Sequence, residues 1–289
     1  MSREHGVSRR SYLSGLGAGG IAVLAGCSGI SGDGGGGNET DTGDATDDGD
    51  DTVTIGSDIP YRPFEYENED GELLGFDVEI AEAVFGEQLG LTPEFSDTSF
   101  DTIISSLNNG NFRVIMSAMT INETRDEEVD FSDPYFTAYQ TIVVLEDSDI
   151  TAKSDLKGQT VGVQKGTTGA GAADELKAEF DGDLSIKRYD QIPAAFDALI
   201  NNLVVAVIND NTVNAEFVEQ NDGARFVEGE GAAAEDGENA PPYLTLTVEE
   251  YGIAFREDDD EFRGQVNDAL ASIKENGTYD DIYNEYFAG

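Results

Sequence analysis

Three features of this 289-residue chain carry recognisable chemistry: an arginine set among acids, a Gly-Thr-Thr-Gly turn, and an aspartate behind an apolar run. Arg125 stands beside Glu123, Asp126 and Glu127. Its planar guanidinium can take a carboxylate in bidentate geometry, and the same spacing fits a surface salt bridge with those neighbours. Gly166-Thr167-Thr168-Gly169 lies between a strand-like run and a helical pattern. Backbone N–H groups at a helix start can hold an anion there, although a plain strand-to-helix turn fits as well. A nucleotide phosphate loop does not fit, because Lys165 precedes Gly166 where that motif needs Gly followed by Lys and then Ser or Thr. Asp210 follows the buried-type run Val204 to Ile208, where it can face a cation or cap the next segment.

Other chemistries are excluded by composition. The single histidine is His5 and the single cysteine is Cys27, so no disulfide can form within the chain. If residues 1–26 are removed, a histidine-dependent triad and a Cys/His zinc site become impossible, and neither a metal nor a cofactor is expected. With 60 Asp and Glu, pairs of carboxylates arise by chance, and a paired-acid glycosidase has no support. Only 16 Lys and Arg oppose those acids, giving a formal net charge of -44. A polyanion of this strength is repelled by nucleic acid and by acidic lipid surfaces. It suits a high-salt milieu, where the Debye length near 1 M falls to roughly 3 Å and self-repulsion fades. At 38% hydrophobic residues the chain still holds enough Ile, Val, Leu, Phe and Tyr for a core.

The elements that must position these residues begin after residue 51. Residues 1–26 place Arg9-Arg10 before a short Gly-rich apolar stretch and end Leu24-Ala25-Gly26 ahead of Cys27. This order resembles a twin-arginine export signal closed by a lipoprotein processing box, with Cys27 becoming the lipidated terminus. Residues 27–51 are Gly- and Asp-rich and too polar to repay ordering entropy. They form an acidic tether, spanning on the order of 27 Å as a flexible coil.

From residue 52 the pattern alternates. Val53 to Gly56 reads as strand, Asp77 to Leu89 as an amphipathic helix stopped by Gly90, Phe100 to Leu107 as helix and Phe112 to Met119 as strand. A second series follows: Thr141 to Leu145 and Thr160 to Val163 as strands, Ala170 to Phe180 as helix, Ile186 to Tyr189 as strand, Ala194 to Leu199 as helix, and Val204 to Ile208 as strand. Residues 228–242 read as an exposed loop, Tyr251 to Phe255 as strand and Glu261 to Asn276 as an amphipathic helix. The fold class is α/β.

Seven segments in register then resemble one family. They are Gly75-Phe76-Asp77-Val78, Met119-Thr120-Ile121 with Arg125, Val129-Asp130-Phe131-Ser132-Asp133-Pro134-Tyr135, Asp155-Leu156-Lys157-Gly158, Val161-Gly162-Val163-Gln164 with Gly166-Thr167-Thr168, Tyr251-Gly252-Ile253-Ala254-Phe255, and Asn276-Gly277-Thr278-Tyr279. Their order resembles the polar amino-acid-binding proteins of ABC importers, extracellular solute-binding family 3, over essentially all of residues 52–289. The resemblance implies a two-lobed periplasmic-binding-protein-like clamshell of type II that traps a small ligand as it closes. Residues 52–138 with 250–289 would form lobe 1 and residues 139–249 lobe 2, with crossings near Tyr135 to Gln140 and near Leu246 to Tyr251.

A free amino acid needs a cation or amides for its carboxylate, an acid for its ammonium and a lined pocket for its side chain. The resemblance assigns Arg125 with Thr167 and Thr168 to the carboxylate and Asp210 to the ammonium. Ala118 and Thr120 would contribute a backbone carbonyl and a hydroxyl to the α-amino and carboxylate ends. Asp58, Tyr61, Phe100 and Gln164 would surround the side chain, with the two rings as walls. Asp58 with Gln164 favours a polar or basic ligand. Two residues depart from the pattern, Arg113 and Val205, each where the family usually carries an acid. Implied partners are a free L-amino acid and an ABC permease, for a monomeric, non-enzymatic protein exported and lipid-anchored at the outer face of the cell membrane. Exported enzymes of the same clamshell, such as cyclohexadienyl dehydratases, and freestanding amino-acid sensors are the competing readings.

Overall fold

The computed structural model describes residues 51–236 and 240–287. The segments expected to be an export signal (residues 1–26) and a tether (residues 27–51, beginning at Cys27) lie outside the described residues up to residue 50. No helix among the described residues is long and apolar enough to cross a membrane.

Along the chain, strand β1 (Thr52–Ser57) leads to a small hairpin of β2 (Tyr66–Glu67) and β3 (Leu73–Leu74). Helix α1 (Phe76–Ala81) then continues into a wider π-type turn over Glu82–Gln88. Phe76, Ile80, Ala81, Ala83, Val84 and Phe85 are all buried along it, so the amphipathic face expected over Asp77 to Leu89 is present in two helical geometries. Strand β4 (Thr92–Asp97) is followed by a 3₁₀ turn at Phe100–Thr102 that opens into α2 (Ile103–Asn108). Next come β5 (Val114–Ile115), the single-turn α3 (Glu123–Asp126) and β6 (Asp130–Phe131). The strand expected over Phe112 to Met119 is thus only two residues long. Ala118 has φ +46°, a left-handed conformation incompatible with a strand, and the buried run after Ile115 is irregular backbone.

The ten-residue β7 (Phe136–Leu145) opens the second half. It is followed by β8 (Thr160–Gln164), α4 (Thr168–Glu179), β9 (Ser185–Tyr189), α5 (Ile192–Ile200), β10 (Ala206–Asp210), α6 (Asn211–Gln220) and β11 (Ala224–Phe226). The segment expected as a plain loop contains helix α7 (Ala232–Asp236), which Gly231 admits because a Cβ there would lie 2.0 Å from the Thr245 carbonyl oxygen. The expected strand Tyr251 to Phe255 is divided between β12 (Thr245–Tyr251) and β13 (Ala254–Phe255). Helices α8 (Asp260–Glu275) and α9 (Thr278–Phe287) close the chain.

The strands form two main sheets. One has the order β4-β1-β5-β13-β6, with β1 parallel to β4 and β5. The other has the order β11-β7-β10-β8-β9, with β8 parallel to both β10 and β9. β7 and β12 run antiparallel from Phe136↔Tyr251 to Thr141↔Thr245, and the Tyr135 N–H donates to the Tyr251 carbonyl at 2.9 Å, so this pair joins one sheet to the other. Both sheets are mixed, and each is covered on both faces. Phe85 stacks on Phe262 of α8, while Ile103 and Leu107 of α2 pack with Ile115 and Met119 on the opposite face. In the second sheet, Ala173 and Leu176 of α4 pack with Val161 and Ile208, and Phe196 stacks on Phe217 at 4.1 Å on the other side. The chain is an α/β clamshell of two lobes.

Arg113 and Val205 have simple local accounts. The Arg113 guanidinium meets Asp259 at 3.1 and 3.3 Å and lies 3.6 Å over the Phe262 ring, tying β5 to the start of α8. The Val205 N–H donates to the Thr160 carbonyl at 2.9 Å, and its side chain packs against the second core.

Gly75 fixes the loop that carries Asp58 and Tyr61 against α1. Its φ is +136°, and a Cβ there would fall 2.0 Å from the Phe64 carbonyl oxygen, whereas Gly71, at φ +78°, faces open space. Gly71→Ala should therefore cost about 1 kcal/mol from its backbone conformation alone. Gly75→Ala should cost at least about 3 kcal/mol, since backbone strain is joined by a clash with backbone. Urea unfolding of both variants measures the difference, and equal losses would refute the close approach.

Candidate functional site

The parallel strands of both sheets aim their C-terminal ends at the same cleft, the usual place for a ligand in open α/β sheets. Asp58 follows β1, Ala118 and Thr120 follow β5, Gln164 ends β8, and Asp210 ends β10. All ten residues named from the sequence line one narrow cavity: Asp58, Tyr61, Phe100, Ala118, Thr120, Arg125, Gln164, Thr167, Thr168 and Asp210. Ser117 joins them. A wider, more open groove adjoins this cavity, shares Phe100, Arg125, Thr167 and Thr168 with it, and carries Asp101, Glu123, Glu128, Glu175 and Glu249.

Arg125 is 7% exposed, so it is not a surface residue. Its backbone N–H is held by the Asn122 side chain at 3.0 Å, which caps α3. The guanidinium donates to the Thr120 carbonyl at 2.6 Å and to the Gly166 carbonyl at 3.2 Å, and lies 5.1 Å from the Phe100 ring centroid. Among the described residues no acid lies within ion-pair distance of it. The salt bridge to Glu123, Asp126 or Glu127 that its spacing allowed is therefore absent. Burial lowers its pKa, opposed by the field of Glu249 and Asp210.

The Gly-Thr-Thr-Gly turn does what a helix start demands. Thr167 is the N-cap of α4, its hydroxyl oxygen accepting from the Ala170 N–H at 3.2 Å and donating to the Gln164 carbonyl at 2.9 Å. Gly166, at φ +74°, approaches Asp101 of the first lobe so closely that a Cβ would lie 2.9 Å from its Cα.

The acids are held by hydrogen bonds from both lobes. Asp58 is 3% exposed, receives the Phe100 N–H at 3.2 Å and the amides of Gln164 and Gln191, and donates its own N–H to the Ser117 hydroxyl at 3.0 Å. Burial pushes its carboxyl up to about 6, against the lowering effect of the Gln191 and Phe100 hydrogen bonds. Asp210 ends β10 instead of lying beyond it, and although it sits at the N-cap of α6 its side chain makes no capping bond. It instead meets the Tyr61 hydroxyl at 2.5 Å and the Gln140 amide. Burial, with the nearby Glu249 charge, pushes Asp210 up to about 7.

Beneath the cavity lies a second pair of buried acids. Asp77 accepts the Ala118 N–H at 2.8 Å and the Tyr135 hydroxyl at 2.9 Å, which holds Ala118 in its left-handed conformation. Glu65 accepts from Ser117 at 2.8 Å, and burial raises both carboxyls, Asp77 to about 7. The sequence reading did not name Glu65, Ser117, Gln140, Gln191 or Glu249 as site residues. The signal for Glu249 is an inverted pattern on β12, where Val248 is 40% exposed and Glu249 only 8%.

A two-lobed body with a polar, charged cavity at the strand ends defines a small-molecule binding protein of the clamshell class. Residues 53–289 match the family described as bacterial extracellular solute-binding proteins, family 3, and the chain belongs to it. A probable histidine-binding protein of Neisseria gonorrhoeae is 31% identical over 269 residues, covering 93% of this chain and 95% of that protein. An ancestral arginine-binding protein, solved with arginine bound, is 36% identical with a TM-score of 0.73, covering 82% of this chain and 98% of that one. An ancestral amino acid-binding protein described as a precursor of cyclohexadienyl dehydratase is 33% identical with a TM-score of 0.71, covering 82% and 96%.

The raised carboxyls set a pH dependence. Asp58 and Asp210 titrate at about 6 and about 7 in the fold against 3.8 for the ordinary group. Their contribution to stability is fully present below pH 3.8 and is lost as pH rises through 6 and 7. Asp210→Asn, measured without added ligand, should therefore be more stable than the parent at pH 8 and should lose most of that advantage at pH 5. Thermal unfolding at both pH values tests this, and an advantage that grew on acidification would reverse the sign and refute it.

Proposed function

We propose that this protein captures a free polar L-amino acid outside the cell, with basic side chains favoured, and delivers it to an ABC import permease. The observation that carries the reading is the charge arrangement. Among the described residues Arg125 is buried without a carboxylate partner, and Asp58 and Asp210 are buried without a cation within ion-pair distance. A zwitterion supplies both missing charges, its carboxylate to Arg125 and the N–H groups at the start of α4, its ammonium to Asp210. A basic side chain between the Tyr61 and Phe100 rings would complement Asp58. The relatives named for histidine and arginine binding support the same class.

In this reading lobe 1 comprises residues 52–138 and 250–289 and lobe 2 residues 139–249, and the β7–β12 pair is the hinge. The twin-arginine segment exports the chain, a lipid on Cys27 anchors it to the outer face of the membrane, and residues 28–51 let the monomeric body reach the permease. The acidic surface keeps it soluble in concentrated salt. Binding and release require no covalent step, so the protein is not an enzyme.

The test is thermal unfolding of residues 52–289 in molar salt with each amino acid at millimolar concentration. A ligand at 100 times its Kd stabilises by about 2.7 kcal/mol. One or a few polar amino acids should raise the Tm, and no shift with any of them would overturn the function. Arg125→Ala should weaken every bound amino acid alike, by about a hundredfold or more, since it removes one partner of a buried charge pair. Asp58→Asn should change the order of preference among them. Uniform loss for both variants would refute that division of roles.

A further inference from the structure

The Glu249 carboxylate lies on β12 and lines the outer groove, not the inner cavity. It is 8% exposed, and one of its oxygens, Oε2, accepts from the Thr120 hydroxyl and from the Thr168 hydroxyl, both at 2.7 Å. The Gln140 amide lies 3.3 Å from the same oxygen, and Oε1 accepts from Thr247 at 2.9 Å. Thr120 and Thr168 come from opposite lobes, lie 3.3 Å apart and both line the inner cavity. Thr168 lines the groove as well, so the contact with Glu249 runs from the cavity to the groove.

A carboxylate oxygen can only accept, so both hydroxyls must donate their single protons to Glu249. Those protons are drawn out of the cavity toward the groove. What the two hydroxyls then present to the cavity is lone pairs. Thr168 has one of these engaged by the Gln140 amide at 3.1 Å. The same amide reaches Asp210, so the two hydroxyls and Asp210 share one end of the cavity.

We propose that Glu249 is a positioning residue that turns the Thr120 and Thr168 hydroxyls into acceptors, making them, with Asp210, the cage for the ligand's α-ammonium. The inference rests on the amino-acid-binding reading above and deepens it. It leaves the ligand carboxylate to Arg125 and to backbone N–H groups, because hydroxyls that have given their protons to Glu249 cannot donate to a carboxylate. Glu249 acts without touching the ligand.

The test compares L-arginine with 5-guanidinopentanoate, which is arginine without its α-amino group. Titration calorimetry of the whole body in molar salt gives the ratio of the two Kd values, the contribution of the ammonium. In Glu249→Gln this ratio should fall by about tenfold or more relative to the unaltered protein, the scale of a hydrogen bond to a charged group. Thr168→Val, which removes one acceptor and leaves Glu249 in place, should lower the ratio in the same direction and serves if Glu249→Gln does not fold. Equal weakening of both ligands in both variants marks a merely structural role and overturns the proposal. So does tighter binding of arginine by Glu249→Gln, which would mean that Glu249 competes with the ligand carboxylate for the two hydroxyls. If arginine does not bind the unaltered protein, the same comparison is made with histidine or glutamine and its deamino analogue. Failure of every amino acid to bind overturns the function itself, whereas binding with an unchanged ratio overturns only the role of Glu249.

Discussion

Buried negative charge is the constraint on which this structure turns. Asp58, Asp210 and Glu249 are each at most 8% exposed, and the buried guanidinium that shares the site, Arg125, is bound to carbonyl oxygens. A carboxylate taken out of water must be solvated by something else or give up its charge. Here the protein supplies donors, and it supplies them across the cleft. Asp58 of the first lobe takes amides from Gln164 and Gln191 of the second, Asp210 of the second takes the Tyr61 hydroxyl of the first, and Glu249 takes one hydroxyl from each. The need to solvate these acids draws the lobes together. The raised carboxyls of Asp58 and Asp210 show that the donors compensate burial only in part.

The surface obeys a different electrostatic regime. Its ion pairs join exposed groups, such as Arg188 with Asp174 and Lys153 with Glu179, and contribute little each. Most of the 60 acids have no basic partner at all, since 16 Lys and Arg cannot neutralise them. Molar salt screens that repulsion over roughly 3 Å, yet it reaches the interior poorly. In the high-salt setting proposed for this chain, the acidic exterior would be screened while the cavity keeps its field. Surface charge and site charge share a sign but not a function.

Much of this was legible because function is placed at strand ends. Residues such as Asp58, Gln164 and Asp210 follow or end apolar runs that periodicity identifies as strands, and Thr167 and Thr168 mark the start of a helix. The paired sheets and the covering helices were readable for the same reason. Arg125 was ambiguous, since its neighbours Glu123, Asp126 and Glu127 offer partners in sequence that the fold turns away. Other elements were not readable. The π-type turn after α1 keeps the same apolar residues as an α-helix, and periodicity does not separate the two. The run after Ile115 is buried but not extended, because Asp77 holds the Ala118 N–H in a left-handed bend. Glu249 was hidden among acids, although its place two residues before the buried Tyr251 puts both side chains on one face of β12.

That placement joins the cavity to the crossing between lobes. Glu249 stands opposite Ala138 in the β7–β12 pair, and Gln140, two residues further along β7, reaches both Glu249 and Asp210 with one amide. The polar network around the ammonium end is therefore built on the two strands that connect the sheets, whereas Arg125 is carried by a loop and one turn of helix. In the reading proposed here, an ammonium entering between Asp210, Thr120 and Thr168 relieves like-charge repulsion between acids that stand on β10 and β12. The energy so released is spent where the chain crosses from lobe to lobe. A neutral ligand of the same shape could fill the cavity without relieving that repulsion, so in this architecture selection for charge and stabilisation of the closed arrangement come from the same contacts.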